Sequence, residues 1–225
     1  MQFLEALLPN LITKLPELWE CILETLFMVA VSGAVSFVFG MILGITLVVT
    51  RKGGILSFPV LYNVLDKAIN IFRSIPFVIL LAMLIPLTRL IVGSAIGTKG
   101  ALIPLIFGTV PFFARQVETA LAGTSHGLVE AALAMGDSPM QIIFRVYLKE
   151  GIPAIVRGTS ITAISLIGLT AMAGAVGGGG LGDFAIRYGH QRNQTDVTYV
   201  TVIIILLMVS VVQMIGNYII KKTTH

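Results

Sequence analysis

TLFMVAVSGAVSFVFGMILGITLVVT, residues 25–50, carries no charged side chain. A helix crosses the hydrocarbon core of a bilayer with about 20 mostly apolar residues, so this run is long enough to span it. Two more runs share its character: residues 158–182 and 197–220 are also free of charge. A further two are interrupted. Ala68–Leu87 contains Arg73, Pro76 and Pro86, and Ala95–Glu118 contains Lys99, Pro104, Pro111 and Arg115. Proline is tolerated in membrane helices when neighbouring groups satisfy the freed carbonyls. A central arginine costs about 2.5–3.5 kcal/mol on an insertion scale, so Arg73 is expected near an interface or facing protein. The five runs define the expected fold, an all-α integral membrane protein of about five transmembrane helices.

The remainder of the chain agrees. Of 225 residues, 56% are hydrophobic and 12% charged, with a mean hydropathy of +0.96. That charged fraction is about half that of a soluble domain. The net charge of +4 comes from scattered Lys and Arg without the clustering of a nucleic-acid footprint. Cys21 is the only cysteine, and His126, His190 and His225 are far apart, so neither a disulfide nor a ligand-spaced metal motif is expected. The N-terminal residues, with Glu5, Lys14, Glu17 and Glu20, lack a basic n-region and a small-residue cleavage site. No P-loop, H-E-x-x-H or G-x-S-x-G is present, so no catalytic set is expected in this chain. Gly177, Gly179 and Gly182 match G-x-G-x-x-G, but a membrane run precedes them where the dinucleotide fingerprint requires a strand.

Five spans place the termini on opposite sides. With the N-terminus outside, the inner segments hold Arg51, Lys52, Lys67, Arg73, Arg115, Arg145, Lys149, Arg157, Lys221 and Lys222. The outer ones hold Lys14, Arg89, Lys99, Arg187 and Arg192. Ten against five favours N-out and C-in by the positive-inside rule. The expected organisation is an extracytoplasmic segment over residues 1–19, a transmembrane domain over 20–220 with a cytoplasmic segment at 116–157, and a cytoplasmic tail at 221–225.

Small residues recur at helical spacing. Ser32, Ser36, Gly40 and Gly44 form one stripe, and Thr170, Gly174, Gly178 and Gly182 another. Such stripes let membrane helices approach closely. Gly177, Gly178, Gly179 and Gly180 are consecutive, so helix there is expected to be broken or pliable. Irregular backbone at membrane depth occurs where protein or an aqueous cavity covers it. Met172, Gly174, Gly177, Gly178, Gly179, Gly180 and Gly182 are therefore candidate residues of a solute pathway or gate. The clear spans lack a central Asp or Glu. Proton relays and many ion-coupled carriers use intramembrane carboxylates, so energy for uphill transport is expected to enter through a partner.

Between the third and fourth spans, SHGLVEAALAMGDSPMQIIFRVYLKEGIP (residues 125–153) reads as two short helices. The first runs from about His126 to Met135 and stops at Gly136. Ser138, Pro139 and Gln141 start the second as N-cap, N1 and capping-box partner, and Gly151 and Pro153 are expected to end it. The first helix, with Leu128, Ala132, Leu133, Met135 and the single acid Glu130, suits a groove on a cytosolic partner.

Glu130, Ala131, Ala132 and Gly136 match the EAA-x3-G signature of permease subunits of bacterial ABC importers. Its continuation, I-x-L-P, falls on Val146, Tyr147, Leu148 and Lys149, where Lys149 replaces the proline. NIFRSIPF (70–77), PFFARQVETAL (111–121), MGDSPMQII (135–143) and AMAGAVGGGGLGDFAIRYG (171–189) resemble the methionine-uptake permeases of that family. The resemblance implies a type I importer fold, a multi-pass location in the bacterial cell membrane, and a homodimer. It implies two ATP-binding subunits, which use ATP and magnesium, and an extracytoplasmic methionine-binding lipoprotein; this chain itself needs no cofactor. It also implies that Leu128, Glu130, Ala131, Ala132 and Gly136 belong to the coupling helix that docks on the ATPase. A permease for another amino acid or small metabolite, or an ATP-independent channel or carrier, is the alternative.

Overall fold

The computed structural model describes residues 8–223. Residues 1–7 of the expected outer segment, and Thr224 and His225 of the expected tail, lie outside the described residues. Among the described residues every regular element is helical. In chain order these are α1 (Pro9–Ile12), α2 (Leu15–Thr50), α3 (Pro59–Ser74), α4 (Phe77–Met83), α5 (Ile85–Val92) and α6 (Gly97–Ala122). They continue with α7 (His126–Ala134), α8 (Pro139–Ile142), α9 (Leu148–Ala173), α10 (Gly180–Phe184) and α11 (Thr195–Thr223). Three wide π-turns, Ile143–Tyr147, Gly174–Gly178 and Ala185–His190, join the later ones.

Among the described residues four helical runs are long and apolar enough to cross a membrane: Leu15–Thr50, Gly97–Ala122, the run Pro139–Gly178, and Thr195–Thr223. The run Ala68–Leu87, expected as a further span, is not one helix. α3 stops at Ser74, Ile75 is extended at φ −80° and ψ 123°, and Pro76 precedes α4. The ring of Pro76 pushes the residue before it out of the helical region. Pro86 sits in the first turn of α5, where a missing N–H costs nothing. Arg73 thereby falls in the last turn of α3, where a cation complements the helix dipole.

By contacts the chain forms two compact units. One comprises Pro76–Ile106, Ala163–Val212 and the N-terminal residues up to Gly33. Its core joins Leu18 and Cys21 of α2 to Leu181 and Phe184 of α10, Tyr188 and Val197. Asp196, in the first turn of α11, accepts hydrogen bonds from the backbone N–H groups of Asn10 and Leu11 at 2.9 and 3.2 Å, which ties α1 to α11. The Tyr188 hydroxyl donates to Glu17 at 2.7 Å. That bond, first among the causes, holds the Tyr188 phenol pKa above its ordinary value.

The other unit comprises Ala34–Ile75, Phe107–Thr162 and the C-terminal residues from Gln213. Its core collects Val48 of α2, Phe113, Val117 and Leu121 of α6, Val129 and Ala132 of α7, and Ile142, Tyr147 and Ile155. The small-residue stripe of α2 explains how close α2 and α6 come. A Cβ on Gly40 would lie 2.7 Å from a ring carbon of Phe113, and one on Gly44 2.5 Å from Val117 Cβ. Arg115 of α6 is half-buried and pairs with Asp66 of α3 and Glu118, and donates to Asn70 at 2.9 Å. A charge that would be costly in lipid is compensated here by two carboxylates.

Candidate functional site

The structure places the two groups of candidate residues in different units. The coupling residues lie on α7 and its C-terminal turn. Gly136 has φ +83°, so it takes the left-handed position after the helix. Its N–H donates to Leu133 O at 3.0 Å, and the Asp137 N–H donates to Ala132 O at 3.1 Å. These two bonds are the Schellman pair, and they satisfy carbonyls that the helix end leaves free. The next helix starts as its residues demand. The Ser138 N–H donates to Gln141 Oε1 at 2.7 Å, and the Gln141 N–H to Ser138 Oγ at 3.4 Å, with Pro139 at the first position.

α7 buries only Val129 and Ala132. Leu128, Glu130, Ala131, Leu133 and Met135 remain exposed, Met135 by 76%. The Glu130 carboxylate lies 3.1 Å from His126 Nδ1, one turn back on the same exposed face. Ala132, expected among the docking residues, points the other way: it is 2% exposed and packs in the core. Its size follows from that packing. The expected end of the second helix at Gly151 and Pro153 is also corrected. The chain runs from α8 through the π-turn into α9, and Pro153 lies inside α9. Inside a helix a proline keeps helical φ but removes one hydrogen bond and crowds the carbonyl four residues back, which α9 accommodates at Pro153 without ending.

The glycine segment ends α9 instead of extending it, so residues 158–182 are not a single span. Val176 (φ −114°, ψ 24°) and Gly177 (φ +91°, ψ 17°) leave helical geometry, and Gly179 follows at φ 76°, ψ −168°. The chain then folds back. A Cβ on Gly182 would run into the main chain of Ala171, and one on Gly178 would lie 2.7 Å from the Ala173 carbonyl oxygen. Residues eleven apart in sequence thus touch backbone to backbone, which no other residue type permits. Gly174, Gly178, Gly180 and Gly182 are buried; Met172, Val176 and Gly177 are exposed.

Glu24 and Thr25 of α2 complete this reversal. The Gly180 N–H donates to Glu24 Oε2 at 2.7 Å and the Leu181 N–H to Thr25 Oγ1 at 2.9 Å. They cap the first turn of α10, whose N–H groups have no partner within the helix. Sequence reasoning missed both residues. A cap supplied from 156 residues away leaves no local signature. A carboxylate at the edge of an apolar run was the one signal available, and Glu24 directly precedes the run at 25–50. Among the described residues no group of three or more His, Cys, Asp or Glu is placed to hold a metal ion.

With this geometry in view, comparison with known proteins is specific. Residues 36–225 match the family described as binding-protein-dependent transport system inner membrane component. The probable D-methionine transport system permease protein MetI of Vibrio cholerae is 46% identical over 202 residues, which is 90% of each chain. The methionine import system permease protein MetP of Bacillus subtilis is 44% identical over 215 residues, 96% of each chain. Among solved structures, an inward-facing conformation of the MetNI methionine ABC transporter superposes with a TM-score of 0.88 at 44% identity. That match covers 90% of this chain and 94% of the other. An amino acid ABC transporter crystallised with histidines shares the fold at TM-score 0.78 and 15% identity, over 96% of this chain and 98% of the other. This chain therefore belongs to the inner-membrane permease family of binding-protein-dependent ABC transport systems.

Proposed function

We propose that this chain is the membrane permease of an ATP-driven methionine importer. It forms the solute path as a homodimer, is coupled to two ATP-hydrolysing subunits, and receives methionine from an extracytoplasmic binding lipoprotein. ATP and magnesium act on the partner subunits, and the permease is not itself catalytic. The observation that carries the reading is α7. It is a short helix held by two buried residues and closed by a Schellman turn, and it leaves Leu128, Glu130 and Ala131 facing outward for a partner. Relatives that match nine-tenths or more of the chain and are named for methionine support the substrate.

In this reading residues 116–157 and 221–225 face the cytoplasm, residues 1–19 lie outside, and residues 20–220 form the transmembrane domain. α4 and α5 together supply a fifth, broken crossing, since the sixteen residues Phe77–Val92 would rise about 24 Å. Met172 and the segment Gly174–Gly182 line the path. The reversal is a discrete element with two ends fixed by packing, as alternating access requires, because packed interiors switch between arrangements instead of deforming continuously.

The test is uptake by vesicles containing this chain with its ATPase and binding protein. Methionine should accumulate only with ATP, and unrelated amino acids should not. Methionine flux without the ATPase would favour the channel or carrier alternative, and selective uptake of a different amino acid would reassign the substrate. Impermeant labelling of Ser125→Cys in intact cells, on a Cys21-free background, should fail if the segment is cytoplasmic.

A further inference from the structure

A cavity between α6, α7 and α9, about 460 Å³ in volume, lies apart from the reversal and shares only Leu128 with the exposed face of α7. Gln116 and Thr119 of α6, Leu128 of α7, and Glu150, Arg157 and Ile161 of α9 line it. Glu150 and Arg157 stand seven residues apart, which puts them on one face of α9 two turns from each other. Neither has an ion pair or side-chain hydrogen bond among the described residues. Two other guanidinium groups in this unit are paired, Arg115 with Asp66 and Glu118 and Arg145 with Asp137 at 3.9 Å, whereas Arg51 and Arg73 have no such partner among the described residues.

One cation and one anion, both unpartnered, therefore share a wall with neutral hydrogen-bonding groups and two aliphatic side chains. Each of these parts has a counterpart in a free amino acid. A guanidinium fork binds a carboxylate in two-pronged fashion. A carboxylate accepts from an ammonium. Gln116 and Thr119 can serve the remaining polar atoms, and Leu128 and Ile161 offer an apolar surface to a side chain. A purely anionic ligand would meet Glu150 and a purely cationic one Arg157, so the charge pattern selects a zwitterion by repelling the alternatives. The volume falls within the range of small-molecule sites.

We propose that this cavity binds the zwitterionic amino acid on its way through the transporter, with Arg157 holding the carboxylate and Glu150 the ammonium. The proposal rests on the importer reading above and names residues for its substrate. The site is a transit site and is specific for the α-amino acid headgroup more than for the side chain, because the two charged groups address only the former.

The experiment uses the assembled complex of this chain and its ATPase, with Cys21→Ala and Thr119→Cys. Thr119 is exposed at the cavity wall. Methionine at ten times its dissociation constant should slow maleimide alkylation of this cysteine about tenfold. Methioninol, which lacks the carboxylate, and N-acetylmethionine, which lacks the ammonium, should not. Arg157→Gln and Glu150→Gln should each abolish protection, and Arg157→Lys should restore part of it. A control cysteine at Ser57, exposed in the loop after α2, should react at one rate throughout. Equal protection in Arg157→Gln would overturn the proposal, since occlusion would then come from movement. So would a cysteine shielded by the ATPase whether or not methionine is present. Absence of protection in a complex that accumulates methionine would remove the site and leave the importer reading intact. Absence of both protection and methionine uptake would remove both.

Discussion

A Cβ placed on Gly136 would meet nothing within 4 Å, whereas one placed on Gly182 would run into the main chain of Ala171. Both glycines sit at chain reversals beside short helices, yet they are there for different reasons. Gly136 supplies a backbone angle, φ +83°, in open surroundings. Its turn is complete within residues 132–141 and needs no help from the remainder of the chain. Gly182 supplies space. Its segment closes only because residue 171 is adjacent and because Glu24 and Thr25, on a distant helix, take up the freed N–H groups. The first design leaves an exposed helix that a partner can grip without disturbing the core. The second couples the reversal to α2, so that a change in one is felt by the other.

The comparison can be broken most severely at the close approach. Gly182→Val should cost about 3 kcal/mol, the upper end of the overpacking range, and lower the yield of assembled complex on size-exclusion chromatography. An unchanged yield would mean that the reversal relaxes freely and that space is not what the glycine provides. Next comes the distant cap. Glu24→Leu leaves the Gly180 N–H without its acceptor and should cost about 1.5–3 kcal/mol in thermal unfolding of the complex, while Glu24→Gln, which keeps an acceptor oxygen, should cost less. Equal melting temperatures for the two would show that the carboxylate does not hold the reversal.

The comparison sharpens with a matched pair. Gly136→Ala and Gly177→Ala, at φ +83° and +91° with no neighbour within 4 Å, should each cost about 1–2 kcal/mol for the left-handed backbone alone. A Gly177→Ala variant as damaged as Gly182→Val would place the close approach elsewhere. The smallest effect on stability is expected at Glu130. Its side chain is exposed, so Glu130→Ala should stay within about 0.5 kcal/mol of the parent, as surface substitutions do. Methionine uptake should nevertheless fall through lost ATPase association. Normal association measured by co-purification would remove Glu130 from the coupling contact.

How far each region was legible in the sequence follows from the same contrast. The turn at Gly136 and the capping box at Ser138 and Gln141 were readable because every group involved lies within ten residues. The inward direction of Ala132 was not, because it depends on which face of α7 meets Val117, Leu121 and Ile142. The four glycines announced a break in the helix, but not that the chain folds back on Ala171. Pro76 was visible as an interruption. That it divides the run at 68–87 into separate helices emerged only from the extended backbone at Ile75.

By itself, then, the sequence determined the membrane class, the long apolar helices, the short helix at His126–Ala134 with the capped turn that follows it, and the family. Those properties depend on composition and on residues a few positions apart, where hydropathy and local hydrogen bonding decide. Tertiary structure alone decided that Arg115 is neutralised by Asp66, forty-nine residues earlier, that Glu24 and Thr25 cap α10, and which glycines are required for space instead of angle. Those depend on which surfaces approach within hydrogen-bonding or van der Waals distance, and one chain's order of residues does not display that proximity until the helices have packed.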